Sequence, residues 1–309
     1  MFMSVAQLVN QWDTTNQWVA PDGLAAFASA YPGKPVGVQH LLHGHPLFAL
    51  DALADLAARL PASHVEHSRG DLAIDQDPDG VTREALPVDE IVRTIADNGC
   101  WMVLKKVDED PDYAELIDAC LAEIDPVVRP RTGANMRREA FIFLSSPNSV
   151  TPYHMDPEHN ILFQVAGFKT MRVFSADRFT LVPQVHQEAF HRAGGHRNMR
   201  FDPSFDAYGI DFVLAPGDAV YVPVKAPHWV RNGPMPSISF SVTWRSRSSD
   251  NDARLHRVNH RLRKLGIDPG RPGDAPRLDA AKVAAHHVVK GVTRTLRTLM
   301  GKKTARAAY

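Results

Sequence analysis

The sequence predicts a mainly β protein: a sandwich or barrel of short strands with α-helical segments on either side. Between about residues 138 and 247, short apolar runs alternate with turn residues at regular spacing, which is typical of sandwiches and barrels. The flanking segments carry apolar residues at helical spacing. Hydrophobic residues make up 44% and charged residues 23% of the 309 residues, an ordinary globular composition. We therefore expect an N-terminal α/β segment (1–137), a barrel (138–247) and a basic helical region (248–309).

The N-terminal segment is predicted to mix helices with short strands. Leu50–Leu60 has apolar residues at helical spacing and is followed by Pro61, so it is expected to be a helix. Asp110-Pro111 is typical of a helix start, which predicts a helix over Asp110–Asp125. The polar residues 61–90 predict a loop or an edge hairpin. The other expected elements are an amphipathic segment, a strand, a short helix and a second strand: Val5–Trp12, Pro35–Val38, Val88–Asn98 and Trp101–Lys105.

The barrel is predicted to contain seven short apolar strands. They are Ala140–Leu144, Asn160–Ala166, Thr170–Phe174, Phe212–Leu214, Ala219–Val222, His228–Arg231 and Ile238–Trp244. A long insertion over 183–210 interrupts them and carries His186, His191 and His196. These histidines are five residues apart, a spacing that does not suit one helix face. We therefore expect a flexible basic loop here, and we do not favour the alternative that the three histidines form a metal site of their own. Such a loop would lie over the active site and select the substrate.

One segment, Thr151–Lys169, carries a candidate metal site. His154 and Asp156 are two residues apart, and in a strand such residues point to the same face. A third ligand can come from a neighbouring antiparallel strand, and His228 is the natural candidate. Two histidines and one carboxylate on one face of a metal form the facial triad of non-haem Fe(II) oxygenases. An isolated His-x-Asp pair is equally typical of a polar surface strand, so the surrounding residues decide.

Three further residues strengthen the hypothesis. Lys169 is fifteen residues after His154, at the end of the next strand, where its cation could pair with the distal carboxylate of a dicarboxylic cosubstrate. Thr151 and Asn160 flank the ligands and can add neutral hydrogen bonds. A solvated lysine, a strand residue before proline and a turn residue are the alternatives for these three positions.

These residues resemble the JmjC or cupin-like Fe(II)/2-oxoglutarate-dependent oxygenases. The resemblance is greatest to the branch that contains the asparaginyl hydroxylase of hypoxia-inducible factor, which shows a Thr-Pro-x-His-x-Asp run, an Asn and a Gly-aromatic-Lys ending. Here the corresponding residues are Thr151 to Asp156, Asn160 and Gly167-Phe168-Lys169. The later segments Pro216-Gly217-Asp218, Tyr221-Val222-Pro223 and His228-Trp229 resemble the final-ligand region of the family.

The resemblance implies a double-stranded β-helix, the cupin or jelly-roll barrel, with N-terminal α/β decoration and C-terminal helices. It implies that His154, Asp156 and His228 bind Fe(II). It further implies that Lys169, with Thr151 and Asn160, binds the cosubstrate 2-oxoglutarate.

The expected activity is that of a dioxygenase, most simply a hydroxylase. Its substrates would be O₂, 2-oxoglutarate and an unidentified protein side chain, peptide or small molecule. The main alternative is a metal-binding cupin with a binding or regulatory role and no catalysis. We do not favour a histone lysine demethylase, because no segment resembles a chromatin-reading module.

The charge distribution singles out the C-terminal region. The chain has 35 basic and 35 acidic residues, yet 251–309 contains 14 basic and 4 acidic residues, a net charge of +10. The remaining residues therefore carry −10. Helices are expected over Asn251–Leu265 and Asp279–Met300. Docking of these helices on the acidic barrel, a homodimer formed through them, and contact with an anionic membrane or nucleic acid all remain open.

The remaining sequence features predict a cytoplasmic protein. The two cysteines, Cys100 and Cys120, cannot form a disulfide framework and are expected to be buried. The N-terminus lacks the basic start and apolar core of a secretory signal, and no apolar run is long enough to span a membrane. The balanced total charge gives no strong nucleic-acid signal.

Overall fold

The computed structural model describes residues 18–75, 86–178, 180–193 and 199–286. Their contacts form two compact units. The first contains the described residues up to 177 together with 199–247, so the N-terminal segment and the barrel strands lie in one unit. The second contains the described residues of 178–193 together with 248–286. This differs from the three consecutive segments expected from sequence, because part of the insertion groups with the C-terminal helices.

The first unit is built on two antiparallel sheets. Within the described residues, seven strands follow the order β1-β9-β6-β11-β4-β3-β2, and four follow the order β5-β10-β7-β8. The strands, β1 to β11, are Val36–Gln39, Val65–Arg69, Cys100–Lys105, Met136–Ser145, Val150–His154, His159–Ala166, Lys169–Val173, Ile210–Leu214, Asp218–Val222, His228–Asn232 and Ser237–Arg245. Two facing antiparallel sheets with this crossed order form a jelly roll, which confirms the predicted fold class.

Three strands of the N-terminal segment extend the larger sheet. β1 pairs with β9, and β3 pairs with β4, so this segment is continuous with the barrel. The strand β2 lies within 61–90, where only a loop or an edge hairpin was expected, and it forms the edge beside β3. Only Val65 of β2 is fully buried. The apolar periodicity that identifies a strand is therefore weak in β2, and the pairing with β3 decides its conformation.

The described helices largely follow the predictions. They are α1 (Pro21–Ala30), α2 (Leu50–Arg59), α3 (Val88–Arg93), α4 (Pro111–Thr132), α5 (Gln184–Ala193) and α6 (Arg247–Lys264). Residues 276–286 are also helical. The Asp110 carboxylate caps α4 by accepting a hydrogen bond from the Asp112 amide at 3.2 Å. This helix continues past the predicted end through Pro126 and Pro130, because its buried face extends to Thr132.

One prediction differs from the structure, and others concern residues outside the described ranges. The insertion contains α5 and a 3-10 helix over Pro203–Tyr208, where a flexible loop was expected. Val5–Trp12 and the residues after 286 lie outside the described residues, so a homodimer through the C-terminal helices stays one of the three open alternatives. Within the described part of the chain, no helix combines the length and apolar character needed to cross a membrane. Cys100 and Cys120 are both buried and unbonded to each other, as expected.

The strand β11 shows how the barrel interior is separated from the main core. Its sequence alternates strictly, so large apolar side chains and small hydroxyl side chains point to opposite faces. The apolar row, Ile238, Phe240, Val242 and Trp244, packs in the larger hydrophobic cluster with α2 and α4. A second, smaller cluster combines Leu162 and Val220 of the large sheet with Met171 and Val230 of the small sheet. The space between the sheets is thus a partly polar interior.

Candidate metal and cosubstrate site

His154 and His228 occupy neighbouring strands of the small sheet. They lie directly opposite each other in the β5–β10 register, whereas Val230 is opposite Thr151. Two steps along β10 therefore match three steps along β5, which is a β-bulge with one extra residue in β5. The bulge changes the alternation, so Thr151 and His154 both share a face with the interior residues of β10. The sequence predicts that Thr151 lies beside the metal ligands. The bulge is the physical reason that Thr151 and His154 share a face.

Each imidazole is held by its own backbone. The Nδ1 atom of His154 lies 2.7 Å from the Pro152 carbonyl oxygen, and that of His228 lies 3.0 Å from the Ala226 carbonyl oxygen. A carbonyl only accepts, so each Nδ1 carries the proton and each Nε2 presents a lone pair. Such anchoring by a second hydrogen bond is usual for metal-binding histidines. The two ring centroids are 4.2 Å apart.

Asp156 completes the group from a turn and not from the strand. Its Oδ2 lies 3.8 Å from Nε2 of His154 and 3.6 Å from Nε2 of His228. β5 ends at His154, so the expectation that both residues lie on one strand is wrong. The Asp156 carbonyl instead accepts a hydrogen bond from the Lys225 amide at 2.8 Å, which ties its turn to the loop before β10.

The three side chains fit a single metal ion. One ligand atom from each of His154, Asp156 and His228 can be chosen so that all lie within 4.8 Å of one another. Two neutral imidazoles and one carboxylate suit a first-row transition metal and leave coordination positions for other ligands. The structure thus brings together the three residues that the sequence proposed.

Lys169 lies further along the same interior. It is the first residue of β7 and pairs with Asn232 of β10, four residues from His228. Residues at this spacing share a face, about 13 Å apart along the strand. The side chain is buried, and burial lowers the pKa of Lys169 to about 7. Among the described residues, no carboxylate forms an ion pair with it. A buried cation without an acidic partner suits an anionic ligand.

The two neutral candidates occupy different sheets. Thr151 is half-buried on β5, beside the histidine pair. Asn160 is buried on β6 of the large sheet, where its Oδ1 accepts a hydrogen bond from the Ser241 hydroxyl at 2.8 Å. No contact joins these two residues among the described interactions, although both belong to strands that line the interior.

Four buried polar residues near this interior were not singled out by the sequence. Asn232, opposite Lys169, donates from Nδ2 to the Ser149 carbonyl oxygen at 3.0 Å, while its buried Oδ1 has no described hydrogen-bond partner. Gln164 on β6 accepts a hydrogen bond from the Ser239 hydroxyl at 2.6 Å. Ser241 binds Asn160, as noted above. The strict alternation of hydroxyl and apolar residues in β11 is the sequence signal for the serines, because it places them together on the face opposite the apolar row.

Comparison with known proteins agrees with this geometry. Residues 125–251 match a family model described as the JmjC domain. This segment is similar to the JmjC domain family. It contains β4 to β11 and all six candidate site residues. The JmjC family uses Fe(II) and 2-oxoglutarate, which confirms the expected cofactors at the level of the family.

Several curated relatives match part of the chain. Jumonji C domain-containing protein 5 of Drosophila melanogaster is 33% identical over 110 residues, which are 33% of this chain and 26% of the relative. Lysine-specific demethylase 8 of Danio rerio is 31% identical over 101 residues, 31% of this chain and 24% of the relative. The match thus spans about a quarter of each relative. The expected asparaginyl-hydroxylase branch is not among these matches and stays a prediction.

A solved structure shares the fold more broadly. The X-ray structure of ycfD from E. coli superposes with a TM-score of 0.50, covering 89% of this chain and 68% of that chain. The sequence identity is 18%, so this similarity concerns the fold alone. It covers more of the chain than the JmjC match does and agrees with the continuous sheet that joins the N-terminal segment to the barrel.

Proposed function

We propose that this protein is an Fe(II)- and 2-oxoglutarate-dependent oxygenase that hydroxylates a side chain of a protein or peptide. The observation that carries the proposal is the arrangement of His154, Asp156 and His228, with both Nε2 atoms directed at one carboxylate oxygen. The JmjC match over the same residues supports it independently.

In this proposal each protein group has a defined task. His154, Asp156 and His228 hold the iron, which when bound supplies the activation of O₂ and the oxidation of a C–H bond. The carbonyl oxygens of Pro152 and Ala226 keep the two imidazoles in the metal-binding tautomer. Their orientation is therefore set before the metal arrives, and little rearrangement accompanies binding.

Lys169 is proposed to bind the distal carboxylate of 2-oxoglutarate. Lys169 lies opposite Asn232 of β10, and Val230 lies between Asn232 and His228 on that strand. The interior position of Val230 therefore separates Lys169 from the metal ligands. A short dicarboxylate fits this arrangement, with one end at the metal and the other at Lys169. Asn232, opposite Lys169, has a buried side-chain oxygen next to the same space. Thr151 and Asn160 would add neutral hydrogen bonds.

The apolar interior would protect the reaction from water. Val173, Val222 and Ala226 are almost completely buried between the sheets near the histidine pair. In such a low-dielectric space, charge-assisted hydrogen bonds to the cosubstrate are stronger than in water.

The names of several relatives favour lysine demethylation as a second candidate. The relatives from Danio rerio and Arabidopsis thaliana are named lysine-specific demethylases. Both reactions begin with oxidation of a C–H bond. Hydroxylation of a side-chain carbon leaves a stable alcohol, whereas hydroxylation of an N-methyl carbon releases formaldehyde.

The test is turnover of 2-oxoglutarate by the purified full chain with Fe(II) and O₂. We expect metal-dependent formation of succinate that is absent from the Asp156→Ala variant. With a substrate captured from a proteome, mass spectrometry should show a gain of one oxygen; loss of a methyl group with formaldehyde release would favour demethylation. Binding of metal and 2-oxoglutarate without any succinate formation would instead support the non-catalytic cupin.

A further inference from the structure

A second cluster of side chains that can bind a metal lies in the second compact unit. The proposed active-site residues belong to the first unit. The cluster consists of His191 near the end of α5, and Asp252 and His256 on α6. One ligand atom from each can be chosen so that all lie within 4.8 Å of one another. The proposed oxygenase activity does not use these residues.

The geometry of this cluster resembles that of a metal site in its donor atoms and spacing. Nε2 of His191 lies 3.8 Å from Oδ2 of Asp252, and Nε2 of His256 lies 3.5 Å from Oδ1 of the same carboxylate. Ligands around a tetrahedral zinc ion, at about 2.0–2.2 Å from the metal, are roughly 3.3 Å apart. A contraction of a few tenths of an ångström would bring each imidazole nitrogen to that spacing from the Asp252 carboxylate.

Helix geometry and burial preorganise the three ligands. Asp252 and His256 are four residues apart on α6, so both project from one helix face. The imidazoles of His191 and His256 lie nearly parallel, with centroids 5.1 Å apart and planes 21° apart. His191 is 6% and His256 1% exposed, whereas the Asp252 carboxylate is half-buried.

Contacts between the two helices hold His191 opposite its partners. The Arg257 guanidinium donates from Nε to the His191 carbonyl oxygen at 2.8 Å. The buried Glu188 carboxylate, three residues before His191, pairs with the Arg263 guanidinium at 3.0 Å and reinforces the register of the two helices. These bonds fix the backbone of α5 against α6 without using the donor atoms of the cluster.

We propose that His191, Asp252 and His256 bind a zinc ion that crosslinks α5 to α6. Two imidazole nitrogens and one carboxylate oxygen suit this borderline divalent ion, whereas Mg²⁺ and Ca²⁺ prefer oxygen ligands throughout. Both histidines are buried, and three protein ligands leave the fourth tetrahedral position of the zinc to a water molecule. The ion joins the insertion between β7 and β8 to the C-terminal helix, two segments about 60 residues apart in sequence.

The experiment measures zinc in the full chain with the first site removed. In the Asp156→Ala background we expect one tightly bound zinc per chain after chelation, reloading and dialysis, measured by atomic emission. Adding His256→Ala should remove it, with an affinity loss of at least about 100-fold. Wild-type protein should bind two zinc ions and the His256→Ala single variant one. The same stoichiometry is expected with Co²⁺, whose visible absorption reports coordination by nitrogen and oxygen.

Controls separate a metal site from a structural ion pair. His186→Ala changes an exposed histidine of the same helix α5 and should leave zinc binding unaltered. Zinc should raise the melting temperature of Asp156→Ala but not of Asp156→Ala/His256→Ala. If the alanine variant does not fold by circular dichroism, Asp252→Asn preserves the side-chain shape and should still weaken zinc binding. No zinc in the Asp156→Ala background, or equal zinc after the second substitution, would overturn the proposal without affecting the oxygenase assignment.

Discussion

His154 and His228 face each other across two antiparallel strands, and both use Nδ1 to bind the carbonyl oxygen two residues earlier. This symmetry leaves both Nε2 atoms directed toward Asp156. Because strand pairing and local backbone bonds fix the two rings, the geometry of the proposed metal site is a property of the folded sheet. Loss of one ligand should therefore affect metal binding much more than folding.

The first prediction concerns His154→Ala. The variant should lose Fe(II) binding, because two remaining ligands hold the ion weakly, while the metal-free protein loses at most about 2 kcal/mol of unfolding free energy. Iron binding is measured anaerobically by titration and stability by urea unfolding. His43→Ala, at an exposed histidine outside the cluster, is the matched control. Full Fe(II) affinity in His154→Ala would exclude the proposed triad.

The second prediction separates the cosubstrate from the metal. Lys169→Met should raise the KM for 2-oxoglutarate by about 10- to 100-fold, since a hydrogen bond to a charged group contributes about 1.5–3 kcal/mol. Iron affinity should stay within twofold. The free energy of unfolding should increase, because methionine replaces a buried cation that has no acidic partner among the described residues.

Lys34→Met serves as the exposed control for this measurement. It changes the same charge at the surface and should leave the KM unaltered. An unchanged KM for 2-oxoglutarate in Lys169→Met would disprove the assigned role of Lys169.

The third prediction is a pH dependence of cosubstrate binding. Burial lowers the pKa of Lys169 to about 7, so the free protein loses this positive charge as the pH rises above 7. A bound carboxylate favours the charged form, and binding above pH 7 should therefore take up a proton. Affinity should be constant below pH 7 and fall by up to tenfold per pH unit above it, as measured by calorimetry in buffers of different ionisation enthalpy.

The same shift predicts a change in stability with pH. The unfolded chain keeps the usual lysine pKa of 10.5, so between pH 7 and 10.5 it binds a proton that the folded protein does not. The contribution of Lys169 to the free energy of unfolding must then rise with pH across this window. Lys169→Met should lose both dependences, and equal 2-oxoglutarate affinity at pH 6 and pH 9 in the wild type would contradict the assignment.

The sequence predicted most of the barrel because its strands are strongly apolar and punctuated by turns. Every barrel strand expected from 138 to 247 is present within a few residues, and the antiparallel pairing that suggested His228 as the third ligand does place it opposite His154. The route by which Asp156 reaches the site was not predicted. It depends on the end of β5 at His154 and on a hydrogen bond from Lys225, which lies in a distant segment.

Long-range pairing limited the rest of the prediction. The edge strand β2 has a weak apolar pattern, and its partner β3 starts about 30 residues after β2 ends. The sequence pattern relates His191 only to His186 and His196, its neighbours in sequence. Its partners Asp252 and His256 lie about 60 residues away, and only the pairing of α5 with α6 brings them together. Local periodicity carries no information about such contacts.

The last prediction tests the buried polar row of the barrel with Gln164→Leu. Gln164 is completely buried; its Nε2 lies 2.6 Å from the Ala166 carbonyl oxygen and 3.0 Å from the Ser237 hydroxyl, and its Oε1 binds Ser239. Leucine has a similar volume but leaves these groups without their partner, so unfolding should be easier by about 2–4 kcal/mol. Gln39→Leu, on the exposed face of β1, should change stability by no more than about 0.5 kcal/mol. If the two variants have equal urea midpoints, the prediction is wrong. The hydroxyl groups of β11 would then form their hydrogen bonds without Gln164, and the position of these side chains between the sheets would not depend on it.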